Sequence, residues 1–78
     1  MSDHASLTSD THTYKITDLV GSSTKSIEDA VAVAVQQAGA TLHNMRWVEV
    51  AEIRGHLEGD RVAHWQVGLR IGFTLDPR

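Results

Sequence analysis

Two long strand-like runs joined at Gly59-Asp60 constrain this chain more than anything else in it: MRWVEVAEIRGHLE before the turn and RVAHWQVGLRIGFTL after it. Gly-Asp between such runs fits a two-residue hairpin turn of the primed types. The turn pairs Glu58 with Arg61, an attractive cross-strand pair. Carried down the hairpin in constant phase, this register gathers Val48, Val50, Ala63, Trp65, Val67, Leu69, Ile71 and Phe73 on one face. A helix is expected to cover that apolar set, and a one-residue slip would turn part of it to water. The other face holds Trp47, Ile53 and Val62 among Gly55, Gly68 and Gly72, with Glu49, His64, Gln66 and Arg70. Its glycines leave too little to pack as an ordinary core, and its large apolar residues do not suit open water. Something flat, or another subunit, is expected to lie on it.

The remaining chain completes a small α+β fold. Residues 1–12 are polar and are expected to form a disordered N-terminal tail, leaving a single domain over residues 13–76. Thr13 to Val20 is rich in β-branched residues with Tyr14, Ile16 and Val20 in phase, so it reads as a strand that Gly21 to Thr24 punctuates. Ser26 is a good N-cap, with Glu28 and Asp29 in the first turn where the helix dipole favours negative charge. Ile27, Val31, Ala34, Val35, Ala38 and Leu42 recur at helical spacing, which predicts a helix from about Ser26 to His43. Asn44 can close it in a left-handed turn. The order strand–helix–strand–strand gives a three-stranded antiparallel sheet, curled around one helix, with the last strand in the middle (order 1-3-2). Its two edge strands are free, and free edges invite pairing between chains.

Size then matters. A domain of 78 residues buries only about 60% of its unfolded surface, and chains this small usually need a disulfide, a metal or a partner chain. There is no Cys, which excludes disulfides and thiolate metal sites and fits a reducing, cytoplasmic setting. A net charge of −3 with scattered Lys and Arg argues against nucleic-acid binding. No apolar run approaches a membrane span of about 18 residues, nor does the N-terminus carry an apolar signal region. Oligomerisation is the stabilising device that remains.

Among individual side chains, Trp47 has two readings: interface packing, or a stacking platform for a planar ligand. Gln66 offers one acceptor and two donors to a heteroaromatic edge. In the constant-phase register Gln66 faces Ile53, about 20 Å along the strand from Trp47. Two such distant residues can share a small ligand only if they come from different subunits. Arg46, Arg54 and Arg70 are candidate phosphate or carboxylate contacts, although strand arginines are more often solvated or paired, here with Glu49 and Glu52. His56 and His64 fall on opposite faces in this register, and His4, His12 and His43 form no ligand-like constellation, so no metal site is expected. Ser/His/Asp catalysis has no support, because no Ser sits in an elbow motif. Trp65 is expected beneath the helix as core.

From Tyr14 to Leu75 the chain resembles the dodecins, small flavin-binding proteins that assemble as hollow shells of twelve subunits. The resemblance is carried by YKI and LVGSS at the opening, SIEDAV at the helix start, RWVEVAEIRGH and VAHWQVGLRIGF. It implies a non-enzymatic flavin store, holding FMN, riboflavin or another flavin, in which Trp47 stacks on the isoalloxazine ring and Gln66 hydrogen-bonds its pyrimidine edge. Two flavins would stack between the Trp side chains of neighbouring subunits of a homododecamer. The resemblance also implies that Arg54 contacts the phosphate-bearing part of the ligand, that His56 lies near the flavin side chain, and that coenzyme A is a further ligand. Two alternatives stay open: a shell that mainly binds another nucleotide such as coenzyme A, and a purely structural oligomerisation module.

Overall fold

The computed structural model describes residues 12–75; the expected tail, except for His12, and residues 76–78 lie outside the described residues. Four elements follow in order: β1 (Tyr14–Ser23), α1 (Ile27–Ala38), β2 (Met45–Glu58) and β3 (Arg61–Thr74). The sheet is antiparallel with order β1-β3-β2, as the hairpin and the helical crossover require. Among the described residues, no helix is long and apolar enough to cross a membrane.

β1 runs three residues past Val20, through the segment expected to be a turn. Gly21, Ser22 and Ser23 pair with Val67, Gln66 and Trp65. Gly21 permits this because α1 lies directly on it: a Cβ there would overlap the carbonyl oxygen of Ala30. Ser23 then ties strand to helix. Its Oγ donates to Asp29 Oδ2 at 2.6 Å and accepts from the Lys25 N–H at 2.9 Å. Ser26 is the N-cap, its hydroxyl accepting from the Asp29 N–H at 3.0 Å.

α1 is shorter than the apolar spacing predicts. It ends at Ala38 with Gly39 as its C-cap, and the Gly39 N–H donates to Val35 O at 3.0 Å. Leu42 continues the apolar spacing, but its N–H bonds back to Ala38 O at 2.8 Å inside a tight connection rather than a further helical turn. Asn44 does adopt the left-handed conformation, with φ 63°. It does so immediately before β2, where it redirects the connection into the strand. Gly59, with φ 64°, turns the hairpin.

The hairpin register departs from constant phase at three places. Glu58↔Arg61 and Leu57↔Val62 pair as expected, but the next pair is His56↔His64, which leaves Ala63 as an extra residue in β3. The shifted phase holds through Gly55↔Trp65, Arg54↔Gln66, Ile53↔Val67 and Glu52↔Gly68. A second irregularity at Ala51 in β2 restores the first phase, from Val50↔Leu69 to Trp47↔Gly72, and a third leaves Arg46 extra before Met45↔Phe73. Each extra residue reverses which face the following side chains occupy. Ile53, Gly55 and Val62 therefore belong to the helix-side face, not the outer one. A Cβ on Gly55 would meet Val62 Cγ1 and Trp65 Cζ3, both at 3.2 Å. Arg54 and His56 move to the outer face.

The core sits where α1 crosses the centre of the sheet. Ala30 and Ala34 pack on Val67 and Leu69, with Leu19, Ile27 and Val31 around them, and Ile71 is equally buried. Ala30 takes the place on the buried stripe that the wider spacing did not assign to it, because only a small residue fits over Gly21. Burial of Val67, Leu69 and Ile71 contributes roughly 1.5–3 kcal/mol each. The helix packs on β1 and β3. Val48 and Val50 on β2 thus stay 42% and 47% exposed, so the helix covers only part of the apolar set expected beneath it. Trp65 is half-buried at the edge of that coverage.

Candidate ligand-binding site

Two groups of side chains stand on the face opposite α1. The first is built on Gly72 of the central strand, flanked by Ile16 on β1 and Trp47 on β2. A Cβ at Gly72 would overlap Cε2 and Cζ2 of Trp47. The glycine is thus the floor on which the indole lies, and it fixes the ring's height above the sheet. Trp47 remains 40% exposed and Ile16 53% exposed. An apolar ring is therefore held in place with surface still open. Around its edge on the helix side lies a cavity of about 270 Å³, lined by Val35, Met45, Arg46, Trp47, Val48 and Ile71.

Towards the hairpin turn, the second group is polar. Arg54 Nη1 donates to Gln66 Oε1 at 3.2 Å, and Arg54 Nη2 donates to Glu52 Oε1 at 2.8 Å. Glu52 fixes the guanidinium, and the guanidinium orients the Gln66 amide. One pair further along, the rings of His56 and His64 stack with centroids 4.8 Å apart and planes 9° from parallel. The histidines expected on opposite faces are brought together by the extra Ala63. No spacing rule applied to the hairpin in constant phase could have found that pair.

Trp47 and Gln66 remain separate. Trp47 sits at Gly72 and Gln66 is six residues away on the same strand, or about 20 Å at the rise of a β-strand. The expected partner of Gln66 changes from Ile53 to Arg54, yet the separation stands. Between the groups, Arg70 reaches both neighbouring strands, with Glu49 at 3.4 Å and Asp18 at 3.7 Å. It closes one end of a depression of about 390 Å³ over Gly68, which Val20 and Glu52 also line. Arg70 and Arg54 are thus both ion-paired, as strand arginines commonly are, while Arg46 borders the cavity beside Trp47. His12 meets Tyr14 edge-on with ring centroids at 6.3 Å. Among the described residues, no three His, Cys, Asp or Glu side chains gather in a metal-ligating group.

A curled three-stranded sheet with order β1-β3-β2, one helix on one face and an exposed Trp on the other defines a known class. The dodecin family model matches residues 13–76, and the chain belongs to the dodecin family. It is 41% identical over 63 residues to the dodecin of Thermus thermophilus, a match that spans 81% of this chain and 91% of that one. The dodecin structure from Streptomyces coelicolor superposes with a TM-score of 0.82 at 46% identity, covering 87% of this chain and 97% of the other. That from Streptomyces davaonensis gives 0.80 at 45% identity, with 85% and 97% covered.

Proposed function

We propose that this chain is a non-enzymatic, cytoplasmic flavin-binding and storage protein that works as a hollow homododecamer. Oxidised flavin, FMN or riboflavin, stacks between Trp47 side chains of neighbouring subunits. Gln66 donates its amide N–H groups to a carbonyl on the pyrimidine edge, because Arg54 already occupies its Oε1. Arg54 and His56 face the side chain of the ligand.

The observation that carries this reading is the Trp47–Gly72 pair. A large indole lying on a glycine, 40% exposed, is an ill-suited core residue and a well-suited stacking surface. The residues fit the group: a flat apolar platform, an oriented amide and a guanidinium. Their separation within one chain is what a site shared between subunits requires. Stacking on Trp47 excludes water from one face of the ring, and close indole contact quenches flavin emission.

The purely structural reading has its own support, the bare apolar side of β2, which needs a neighbour whether or not a ligand binds. Fluorescence titration of the purified protein with FMN and riboflavin, with mass from light scattering, separates the two. Stoichiometric quenching on a particle of twelve subunits is expected, and unlabelled coenzyme A added as competitor shows whether that nucleotide shares the site. Trp47→Ala should weaken flavin binding by about 1 kcal/mol or more while leaving the assembly intact. Gln66→Ala should weaken it by about 0.5–1.5 kcal/mol. A Trp47→Ala protein that loses its assembly and never had flavin affinity would leave the structural module as the function.

A further inference from the structure

We propose that His64, stacked on His56 beside Arg54, is a specificity-determining residue: the two histidines form a protonation-dependent phosphate clamp. Through it the preference for FMN over riboflavin rises as the pH falls. The proposal rests on the flavin reading above and adds to it the regulation of that site.

The geometry begins with two parallel imidazoles 4.8 Å apart on adjacent strands. They occupy the cross-strand pair next to Arg54↔Gln66 on the same face, so ring and guanidinium line one continuous strip. The charged groups facing that strip are Arg54 with its partner Glu52, and the Glu58↔Arg61 pair one step towards the turn. β1 reaches it only with Ser22, the uncharged partner of Gln66, and α1 lies on the other side of the sheet. Arg54 is ion-paired with Glu52, and Arg61 is the cross-strand partner of Glu58. Among the described residues, no ion pair joins either histidine to a carboxylate.

Neutral imidazoles stack comfortably at this distance. Histidine gains its proton between about pH 8 and pH 5, and two imidazolium ions held face to face then repel. An anion placed across both rings removes that repulsion, so binding an anion here and taking up protons favour each other. FMN supplies such an anion, since a phosphate monoester carries about −1.5 to −2 charges near pH 7. Riboflavin ends instead in a neutral hydroxyl. Both ligands share the ring that Trp47 and Gln66 recognise, so stacking cancels in the ratio of their affinities. Only the phosphate responds to the histidines.

The test is a quenching titration of the full chain with FMN and with riboflavin at two pH values. Lowering the pH from about 8 to about 6.5 crosses part of the range in which an imidazole ordinarily gains its proton while a phosphate monoester keeps most of its charge, and the FMN-to-riboflavin affinity ratio should rise about fivefold or more. In H64Q, which keeps a polar side chain but leaves only His56 able to charge, the rise should be clearly smaller than in the native chain over the same range. Imidazole proton shifts of the native chain give a second reading that needs no variant. FMN should move the His64 titration to higher pH, and riboflavin should not. A ratio that stays flat in the native chain while both flavins bind overturns the clamp alone. So does an unchanged slope in H64Q, or a His64 titration that ignores FMN. A native chain that binds neither flavin at either pH overturns the flavin reading and the clamp together.

Discussion

β2 and β3 are strands of the same length, 14 residues each, paired to one another along their course. They alternate large apolar and polar residues in much the same way, yet they meet opposite fates. Val67, Leu69 and Ile71 on β3 are at most 1% exposed; Val48, Val50, Ile53 and Leu57 on β2 lie between 42% and 67%. Sequence pattern does not separate them. Position does: β3 has a strand on each side and α1 above it, whereas β2 is an edge that the helix leaves largely uncovered. Apolar patterning thus states which face must be covered, not what covers it. For β3 the cover is in the chain, and for β2 the proposed assembly would supply it from another one.

The largest effect expected is on the covered strand. Leu69→Ala should lower the stability of the fold by about 2–5 kcal/mol, since it removes a buried side chain from the middle of the core and leaves a cavity. Denaturant unfolding reads this directly. Ile53→Asp is the counterpart on β2. If the 50% exposure of Ile53 described its working environment, the change would cost no more than about 0.5 kcal/mol, as surface substitutions do. The expected outcome is instead a shift from large particle to small ones in light scattering, because a charge would be buried between subunits. A particle that tolerates Ile53→Asp would break the comparison, by showing that β2 is a true outer surface.

Gly72→Ala sharpens the comparison on the opposite face. A Cβ there overlaps the Trp47 indole, so the ring must lift while the β3 backbone and the core beneath stay in place. Flavin affinity should fall by about 1–3 kcal/mol, the scale of an overpacked contact, with little change in unfolding. Smaller still, Ser26→Ala removes the N-cap of α1 and should cost about 1 kcal/mol in denaturant unfolding.

Much of this contrast was legible beforehand, and the part that was not has a definite cause. The element order, the central position of β3, the Gly59-Asp60 turn, the Ser26 cap and the exposed Trp47 follow from local residue chemistry. The register was legible next to the turn and again from Val50↔Leu69 to Trp47↔Gly72. Between them, the apolar residues of β2 switch from even positions, Val48 and Val50, to odd ones, Ile53 and Leu57. Those of β3 switch between Val62 and Trp65. Such a switch requires an extra residue, and Ala51 and Ala63 supply it. The signal was thus present in the alternation, but a constant phase from the turn read past it and put His56 and His64 on opposite faces. The end of α1 was misjudged for a different reason. Leu42 keeps the helical spacing, and only the path needed to enter β2 stops the helix at Gly39. What covers β2 could not be read from the strand's own pattern at all, because an apolar alternation states only that a face is apolar, not what lies on it.

The smallest effect belongs to the exposed polar group on β2, and it tests whether that strand's side chains are ordered for a purpose. Arg54 is held by Glu52 at 2.8 Å, a surface ion pair of the kind that contributes only about 0–1 kcal/mol to stability. Glu52→Ala should therefore leave the unfolding curve nearly unchanged, far from the loss expected for Leu69→Ala. It should nevertheless weaken flavin binding, because a released guanidinium no longer fixes the Gln66 amide through its 3.2 Å hydrogen bond. The loss expected in a quenching titration is about 0.5–1 kcal/mol, part of one hydrogen bond. The substitution also removes the charge that balances Arg54, which by itself would favour an anionic ligand. The effect should consequently be larger for riboflavin than for FMN. Equal affinities in Glu52→Ala and the native protein would mean that Gln66 is positioned by the strand alone and that the ion pair on β2 is incidental.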